Sequence, residues 1–175
     1  MNPLIVFTHI PKTAGSSFRY AAEHYFGSEK TMFDYASKAR ITNPLVREWV
    51  HEKQDLEGFA RVVNDGGYRI LAGHFARDKY AEVFPDAAYV CWIREPVAQV
   101  WSHYRHFRRN NGFDGSFRSF YATPRFRNLQ SRLIGPDPDN MAFIGLTEHY
   151  VACLQKFNQQ FSTRLQVRHA NTAPA

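Results

Sequence analysis

Three short segments of this 175-residue chain carry side chains that could bind an anion and accept a proton. The first runs from Lys12 to Ser17 and holds a lysine, a glycine and two serines. The second pairs Arg94 with Ser102, and the third places His74 directly after an apolar stretch. Lysine and arginine bind phosphate and sulfate through charge-assisted hydrogen bonds, and histidine exchanges protons near neutral pH. These residue types indicate chemistry on a phosphate or sulfate ester.

The elements predicted around the first segment favour anion binding. The apolar run before it predicts a buried strand, and apolar residues recur after it with the period of an amphipathic helix: Phe18, Ala21, Ala22, Tyr25 and Phe26. A loop of small residues between a strand and a helix N-terminus presents backbone N–H groups and the positive end of the helix dipole. Lys12 adds a full positive charge. The segment therefore predicts a ligand that carries phosphate or sulfate.

The order of residues 9–17, HIPKTAGSS, differs from the nucleotide-binding P-loop, G-x-x-x-x-G-K-[ST], because Lys12 precedes Gly15 by three residues. It resembles the 5′-phosphosulfate loop of sulfotransferases that use 3′-phosphoadenosine 5′-phosphosulfate (PAPS). The heparan sulfate 2-O and 6-O group, with its bacterial relatives of the sulfotransferase family 2 type, is especially similar. The resemblance implies a P-loop-NTPase-like α/β fold. It also implies a phosphosulfate site formed by Lys12, Thr13, Ala14, Gly15, Ser16 and Ser17. In that site Lys12 would stabilise the negative charge that develops on the bridging oxygen as its bond to sulfur breaks.

Arg94 follows a predicted strand, and Ser102 lies eight residues further on in a predicted helix. At 100° per residue, Ser102 shares a polar face with Arg105 and His106, opposite an apolar stripe. The stripe consists of Val97, Val100, Trp101, Tyr104 and Phe107. The segment from Trp92 to Tyr104 resembles the 3′-phosphate site of PAPS sulfotransferases, which implies that Arg94 and Ser102 bind that phosphate.

His74 follows the predicted strand of residues 68–73, where an open α/β sheet presents its catalytic groups. Transfer of a sulfuryl group to a hydroxyl requires a base, and histidine has a suitable pKa. In the resembling glycan sulfotransferases a histidine after this strand is that base, so His74 is the expected catalytic base. His9 and His103 are the next candidates.

Two further segments, Asn128–Leu133 and Ile144–Glu148, are also similar to the 6-O sulfotransferase group. Gln130 and Arg132 could contact the nucleotide or the acceptor, or could be outward polar residues of a scaffold helix. The resemblance extends from Leu4 to about Asn171. Relatives usually continue beyond that point into another helix, so the chain is expected to be a truncated or naturally short form.

Strands alternate with helices along the chain, which predicts one domain, residues 1–175, with a parallel sheet flanked by helices. We expect strands at residues 4–8, 31–36, 68–73, 87–93 and 164–168. The main helices are expected at residues 18–26, 43–65, 96–107, 116–122, 124–133 and 146–161.

Basic residues outnumber acidic ones, 22 to 16, which favours an anionic partner. Between Arg94 and Arg132 there are eight arginines and no lysine. A basic nucleic-acid-binding module is therefore one alternative, although it leaves the Lys12 loop unexplained. A nucleotide kinase is a second alternative. The absence of a Gly-Lys-[Ser/Thr] loop and of an obvious Mg²⁺-binding aspartate argues against it. A relative that binds nucleotide but is inactive is a third.

The cysteines, the acidic residues and the N-terminal stretch limit the cofactors and partners that we expect. The two cysteines, Cys91 and Cys153, fit neither a disulfide framework nor a zinc site, and no acidic cluster has metal-ligand spacing. The N-terminal apolar stretch is too short to span a membrane, so we expect a cytoplasmic protein. The resemblance implies PAPS as the donor, and we expect no metal. The acceptor hydroxyl is expected on a glycan through the resemblance alone, and the oligomeric state is not predicted.

Overall fold

The computed structural model describes residues 3–168, which contain one sheet of five parallel strands in the order β2-β3-β1-β4-β5. The strands are β1 (Ile5–Thr8), β2 (Thr31–Asp34), β3 (Ile70–Gly73), β4 (Ala88–Ile93) and β5 (Phe143–Leu146). The predicted α/β class with a parallel sheet is confirmed.

The strand order places three predicted site segments at one edge of the sheet. Strand β1 pairs with β3 on one side and β4 on the other, with Thr8 opposite Gly73 and Cys91. The chain builds β2 and β3 on one side of β1 before crossing to β4 and β5 on the other, which creates a switch point beside β1. Ligands of open α/β sheets bind at the carboxyl ends of strands at such a point.

Helices cover both faces of the sheet. They are α1 (Gly15–Phe26), α2 (Pro44–Val46), which continues as a π-helix (Arg47–Glu52), α3 (Leu56–Asp65), α4 (Pro96–Asn110), α5 (Phe117–Ala122), α6 (Leu129–Ile134) and α7 (Tyr150–Phe161). Alternate strand residues face opposite sides. Phe7 packs with α1 and α7 through Phe18 and Phe157, whereas Val6 lies in the cluster with Phe59 of α3.

The helix expected over residues 43–65 is divided in the structure. Gln54 adopts a left-handed conformation with φ 55°, which ends the π-helix, and the Asp55 side chain accepts a hydrogen bond from Gly58 N at the start of α3. A side-chain cap of this kind starts a new helix where the apolar period alone predicts one continuous helix. The expectation of a single helix was therefore wrong.

Two expectations about strands were also wrong. Strand β5 was not predicted, and residues 164–168 do not form a strand. Asn158 of α7 binds that segment instead, donating to Leu165 O and accepting from Leu165 N, both at 2.9 Å. Backbone groups satisfied by a side chain have no need of a neighbouring strand. The expectation of a truncated or naturally short chain concerns residues 171–175, which lie outside the described residues.

Helix α4 buries part of the face that its apolar stripe predicts. Tyr104 is buried, and Val100 and Phe107 pack in the same aromatic cluster, whereas Val97 and Trp101 are 64% and 46% exposed. Gln99 and His103 are buried in addition: Gln99 donates a hydrogen bond to Pro11 O at 2.9 Å, and His103 packs on that cluster. The buried face therefore extends toward Gln99 and His103, and the Val97 and Trp101 side of the stripe faces solvent.

A buried carboxylate fixes the end of β2 beside β3. Asp34 is 2% exposed and accepts hydrogen bonds from the Tyr80 hydroxyl and the His51 ring, both at 2.8 Å, and from Lys79. Its backbone oxygen accepts from His74 N, and a Cβ at Gly73 would overlap that oxygen. Gly73 is therefore required for the close approach that places His74.

Replacement of Asp34 by asparagine should lower the free energy of unfolding by about 3 kcal/mol at neutral pH, the low end for a broken buried ion pair, because Lys79 can still reach water. Burial raises the pKa of Asp34, but its hydrogen bonds and the Lys79 charge together hold it below the ordinary value. The carboxylate therefore stabilises the fold above about pH 4, and this contribution is lost as the pH falls through the lowered pKa. Urea denaturation across that range should show the two proteins converging in acid. A constant difference would contradict this account.

Candidate functional site

The loop between β1 and α1 has an unusual backbone. Lys12 and Ala14 adopt left-handed conformations, with φ of 69° and 63°, although neither is glycine. Between them Thr13 is fully buried, and its hydroxyl donates to Ile10 O at 2.8 Å. Left-handed residues within a loop turn successive N–H groups toward one side, which creates a concavity suited to an anion. Strain of this kind persists only where the surroundings enforce it.

The start of α1 is open to an anion. Ala14 is the N-cap residue and provides no side-chain hydrogen bond, and the first turn has no acidic residue. The first N–H groups of a helix lack intrahelical carbonyl partners, and they carry the positive end of the dipole. The expectation of a strand, a small-residue loop and a helix N-terminus is confirmed by the elements observed.

A cleft of about 830 Å³ opens beside this loop. Nine of the eleven expected site residues line it: Lys12, Ala14, Gly15, Ser16, Ser17, His74, Arg94, Ser102 and Arg132. Thr13 and Gln130 are not among the lining residues, whereas His9 and His103, the further candidates for the base, are. The described lining residues include no aspartate or glutamate, so the cleft presents cationic, hydroxyl and imidazole groups.

Several cleft residues were not predicted from the sequence, among them Arg19, Tyr35 and Arg125. Arg19 lies one helical turn after Gly15, so the period of α1 could have indicated it. Tyr35 directly follows β2 in the structure, whereas the strand expected at residues 31–36 placed it inside the strand, so the rule that selected His74 did not select it. No comparable signal marks Arg125, because only the packing of the segment before α6 brings it to the cleft.

Lys12 lies in a crowd of like charges. Burial and the nearby guanidinium groups of Arg109 and Arg94 lower the pKa of Lys12. An anion bound between these groups would relieve their mutual repulsion, because opposite charge favours the protonated amine. The electrostatics of the cleft therefore favour an anionic occupant.

Backbone hydrogen bonds fix the segment that carries Arg94. The Gln130 amide accepts from Arg94 N at 2.8 Å and donates to Arg94 O at 2.9 Å. Thr147 donates to Ile93 O at 2.8 Å, and Glu148 accepts from Glu95 N at 2.8 Å. Both polar ends of Gln130 thus contact the Arg94 backbone, and Gln130 is not among the residues that line the cleft.

Four histidines line the cleft, His106 among them, and the three candidates for the base lie in different surroundings. His74 is exposed in the open cleft, and its ring lies 4.6 Å from the Tyr35 ring and 4.8 Å from the His9 ring. Desolvation by the surrounding protein and the Arg19 charge lower the pKa of His74 to about 4. The ring is therefore neutral near pH 7 and has a nitrogen lone pair that can accept a proton.

His103 is 6% exposed and contacts the rings of Phe107, Phe120 and Phe126. Burial, with the charges of His106 and Lys12, lowers its pKa to about 4. Because three phenylalanine rings surround it, His103 is a weaker candidate for the base than His74.

Residues 3–168 contain neither a candidate metal site nor a candidate membrane span. No group of three or more histidine, cysteine, aspartate or glutamate side chains there is arranged to hold a metal ion. In the same residues, no helix combines the length and the apolar character needed to cross a bilayer.

Comparison with known proteins gives likeness in structure only. No protein-family model matches the chain, and no curated protein sequence matches it. A sulfotransferase from Alicyclobacillus acidocaldarius has a TM-score of 0.58 at 15% identity, over 100% of this chain and 87% of that one. Mouse sulfotransferase SULT7A1, complexed with PAP, has a TM-score of 0.58 at 12% identity, over 94% of this chain.

The match to mouse sulfotransferase SULT7A1 spans only 60% of that protein's length. A sugar kinase from Janibacter sp. HTCC2649 has a TM-score of 0.53 at 12% identity, over 93% of this chain and 95% of that one. These likenesses show that the chain has the P-loop-like α/β fold of sulfotransferases, which a kinase also shares. The fold does not choose between the two chemistries.

Replacement of Gln130 by methionine should remove both contacts to Arg94 while nearly preserving volume. At about 0.5–1.5 kcal/mol for each hydrogen bond, the free energy of unfolding should fall by about 1–3 kcal/mol. Gln160→Met is the matched control, since Gln160 is exposed and donates a single hydrogen bond, to Ala142 O. Urea denaturation of both variants measures the difference. Equal losses in the two variants would show that the hydrogen bonds between Gln130 and the Arg94 backbone are not important for stability.

Proposed function

We propose that this protein is a sulfotransferase that moves a sulfuryl group from PAPS to an acceptor hydroxyl. One observation carries the proposal: the Lys12 loop and the Arg94 segment open onto the same cleft, whose described lining holds no carboxylate. The residue order of that loop resembles the phosphosulfate loop of PAPS sulfotransferases. Two cationic regions in one cleft suit a donor with separate 5′ and 3′ anionic groups.

The chain's residues divide the donor between two regions. Lys12 and the backbone amides of residues 13–17 hold the 5′-phosphosulfate, where the left-handed loop and the uncapped start of α1 offer N–H groups. Arg94 and Ser102 bind the 3′-phosphate, with the Arg94 backbone held by Gln130. Guanidinium and hydroxyl groups are suitable partners for a phosphate.

The chemistry of transfer is mainly positioning and electrostatic stabilisation, as in phosphoryl transfer. Bound PAPS supplies the sulfuryl group and a good leaving group. The Lys12 ammonium stabilises negative charge that develops on the oxygen of the breaking S–O bond. His74 accepts the proton of the acceptor hydroxyl as the new S–O bond forms, and its neutral ring has the free lone pair this requires.

A neutral ring whose pKa is about 4 is a weak base, and a base is most effective when its pKa lies near the operating pH. Burial and the Arg19 charge cause the low value. Negative charge delivered to the cleft by the donor would raise the pKa of His74 toward neutrality. His74 would thus become an effective base only when the donor is in place.

We propose a glycan hydroxyl as acceptor, on the resemblance of the loop to the heparan sulfate group. Arg132 lines the cleft with its side chain exposed, and its guanidinium donates to Arg125 O at 2.7 Å. That position suits contact with an acceptor that enters from solvent.

The direct experiment compares ligands and then activity. The thermal shift should be larger with 3′-phosphoadenosine 5′-phosphate (PAP) than with AMP or ATP, because only PAP carries the 3′-phosphate. Transfer of labelled sulfate from PAPS should then be assayed on a panel of glycans, with Lys12→Ala as the inactive control. Preferential binding of ATP would instead favour a kinase, and binding of DNA but not PAP would favour a nucleic-acid module.

Arg94→Ala should weaken PAP binding about tenfold or more, because a charge-assisted hydrogen bond contributes about 1.5–3 kcal/mol. AMP lacks the 3′-phosphate, so its affinity should barely change. Isothermal titration with both nucleotides measures this selectivity. Equal losses for PAP and AMP would place Arg94 elsewhere in the site.

His74→Ala should reduce turnover by about 10²–10⁴, the usual contribution of a positioned base. The ring is exposed in the cleft, so PAP affinity and melting temperature should stay near those of the wild type. Steady-state kinetics and a melting curve on the same sample separate loss of chemistry from loss of fold. Turnover near the wild-type rate in a normally melting variant would exclude His74 as the base.

A further inference from the structure

His9 is held on three sides. The side chain is buried, its ring stacks on Phe7 with centroids 5.4 Å apart, and it meets the His74 ring edge-on at 4.8 Å. Its Nδ1 lies 2.6 Å from the Tyr35 hydroxyl, a short hydrogen bond. A ring with one nitrogen engaged and one face stacked has little freedom to rotate.

The opposite edge of the His9 ring lies against the start of α1. A Cβ on Gly15 would overlap Cδ2 and Nε2 of His9, so glycine at position 15 leaves the space that this edge occupies. His9 also lines the cleft. Nε2 is thus at the helix N-terminus, beside the N–H groups that Lys12 and the loop present to an anion.

The surroundings select one protonation state. Burial, the neighbouring His74 ring and the positive charges of Arg19 and Lys12 hold the pKa of His9 well below its ordinary value, so the ring is neutral and carries one hydrogen. Burial raises the pKa of Tyr35, so its phenol keeps its proton and can donate it to Nδ1. The hydrogen of the ring is then on Nε2. The other tautomer would direct a lone pair at the anion site and repel its occupant.

We infer that His9 is a further catalytic residue, whose Nε2–H donates a hydrogen bond to the phosphosulfate group while Tyr35 fixes the tautomer. The inference rests on the proposed function. His9 adds a donor without adding another full charge to a cleft already crowded with cations. It neither gains nor loses a proton, and this distinguishes it from the base, His74.

Kinetics test the donor with matched variants. His9→Met and His9→Gln have side chains of similar length, but only glutamine can place an N–H near the position of Nε2. Loss of one preorganised donor typically lowers kcat by about 10²–10³. We expect His9→Met to show that loss with PAP affinity within about threefold of the wild type, and His9→Gln to recover at least tenfold. Tyr35→Phe should lower kcat about tenfold, and His24→Met, at an exposed position on α1, should have no effect.

Nuclear magnetic resonance of ¹⁵N-histidine protein provides a readout independent of activity. The wild type should show His9 as the Nε2–H tautomer near pH 7, with its signal shifted by pyrophosphate or PAPS. An Nδ1–H tautomer, a cationic ring, or wild-type kcat in His9→Met would overturn the inference, and the tautomer decides the matter even if variants misfold. If pyrophosphate shifts this signal but the protein transfers no sulfate, the proposed function is refuted, while His9 remains a hydrogen-bond donor to a bound anion.

Discussion

Crowding of like charge in one cleft is the constraint on which the rest of this structure depends. Lys12 lies near Arg94 and Arg109, and the described lining residues offer no carboxylate to offset them. Without a ligand these cations repel one another, so they cannot be positioned by mutual attraction. Their backbones are fixed instead, by Gln99 at Pro11 and by Gln130 at Arg94. Neutral amides hold the cations without neutralising them.

The acidic residues near the site serve the backbone. Glu95 caps α4 through Val97 N and Ala98 N, and Glu148 accepts from Glu95 N. Asp34 neutralises Lys79 behind the sheet edge, where its backbone oxygen also fixes His74 N. These three carboxylates are thus used at N–H groups or away from the cleft, whereas Glu23 forms an ion pair at 3.6 Å with Arg19, which lines the cleft. That separation keeps the cleft attractive to anions while the surrounding elements remain satisfied.

The cleft histidines show how contacts assign different roles to one residue type. The pKa values of His9, His74 and His103 all lie below the ordinary value, with desolvation as the largest cause. Their neighbours differ: aromatic rings surround His103, the Tyr35 hydroxyl binds His9, and His74 is open to the cleft. A shifted pKa alone therefore does not identify a base. Access and hydrogen-bond partners do.

The amino-acid sequence by itself determined the sheet class and the convergence of three site segments, because parallel strands bring their carboxyl ends to one edge and Lys12, His74 and Arg94 each follow a strand. Tertiary structure decided the rest. The apolar period of α4 predicted the burial of Tyr104 but not that of Gln99 and His103, because their partners, Pro11 and the aromatic cluster, lie elsewhere in the chain. Gln130 and Tyr35 gained their roles from partners distant in the chain, at Arg94 and His9. Local patterns report backbone geometry, whereas the partner of a polar side chain depends on how elements pack.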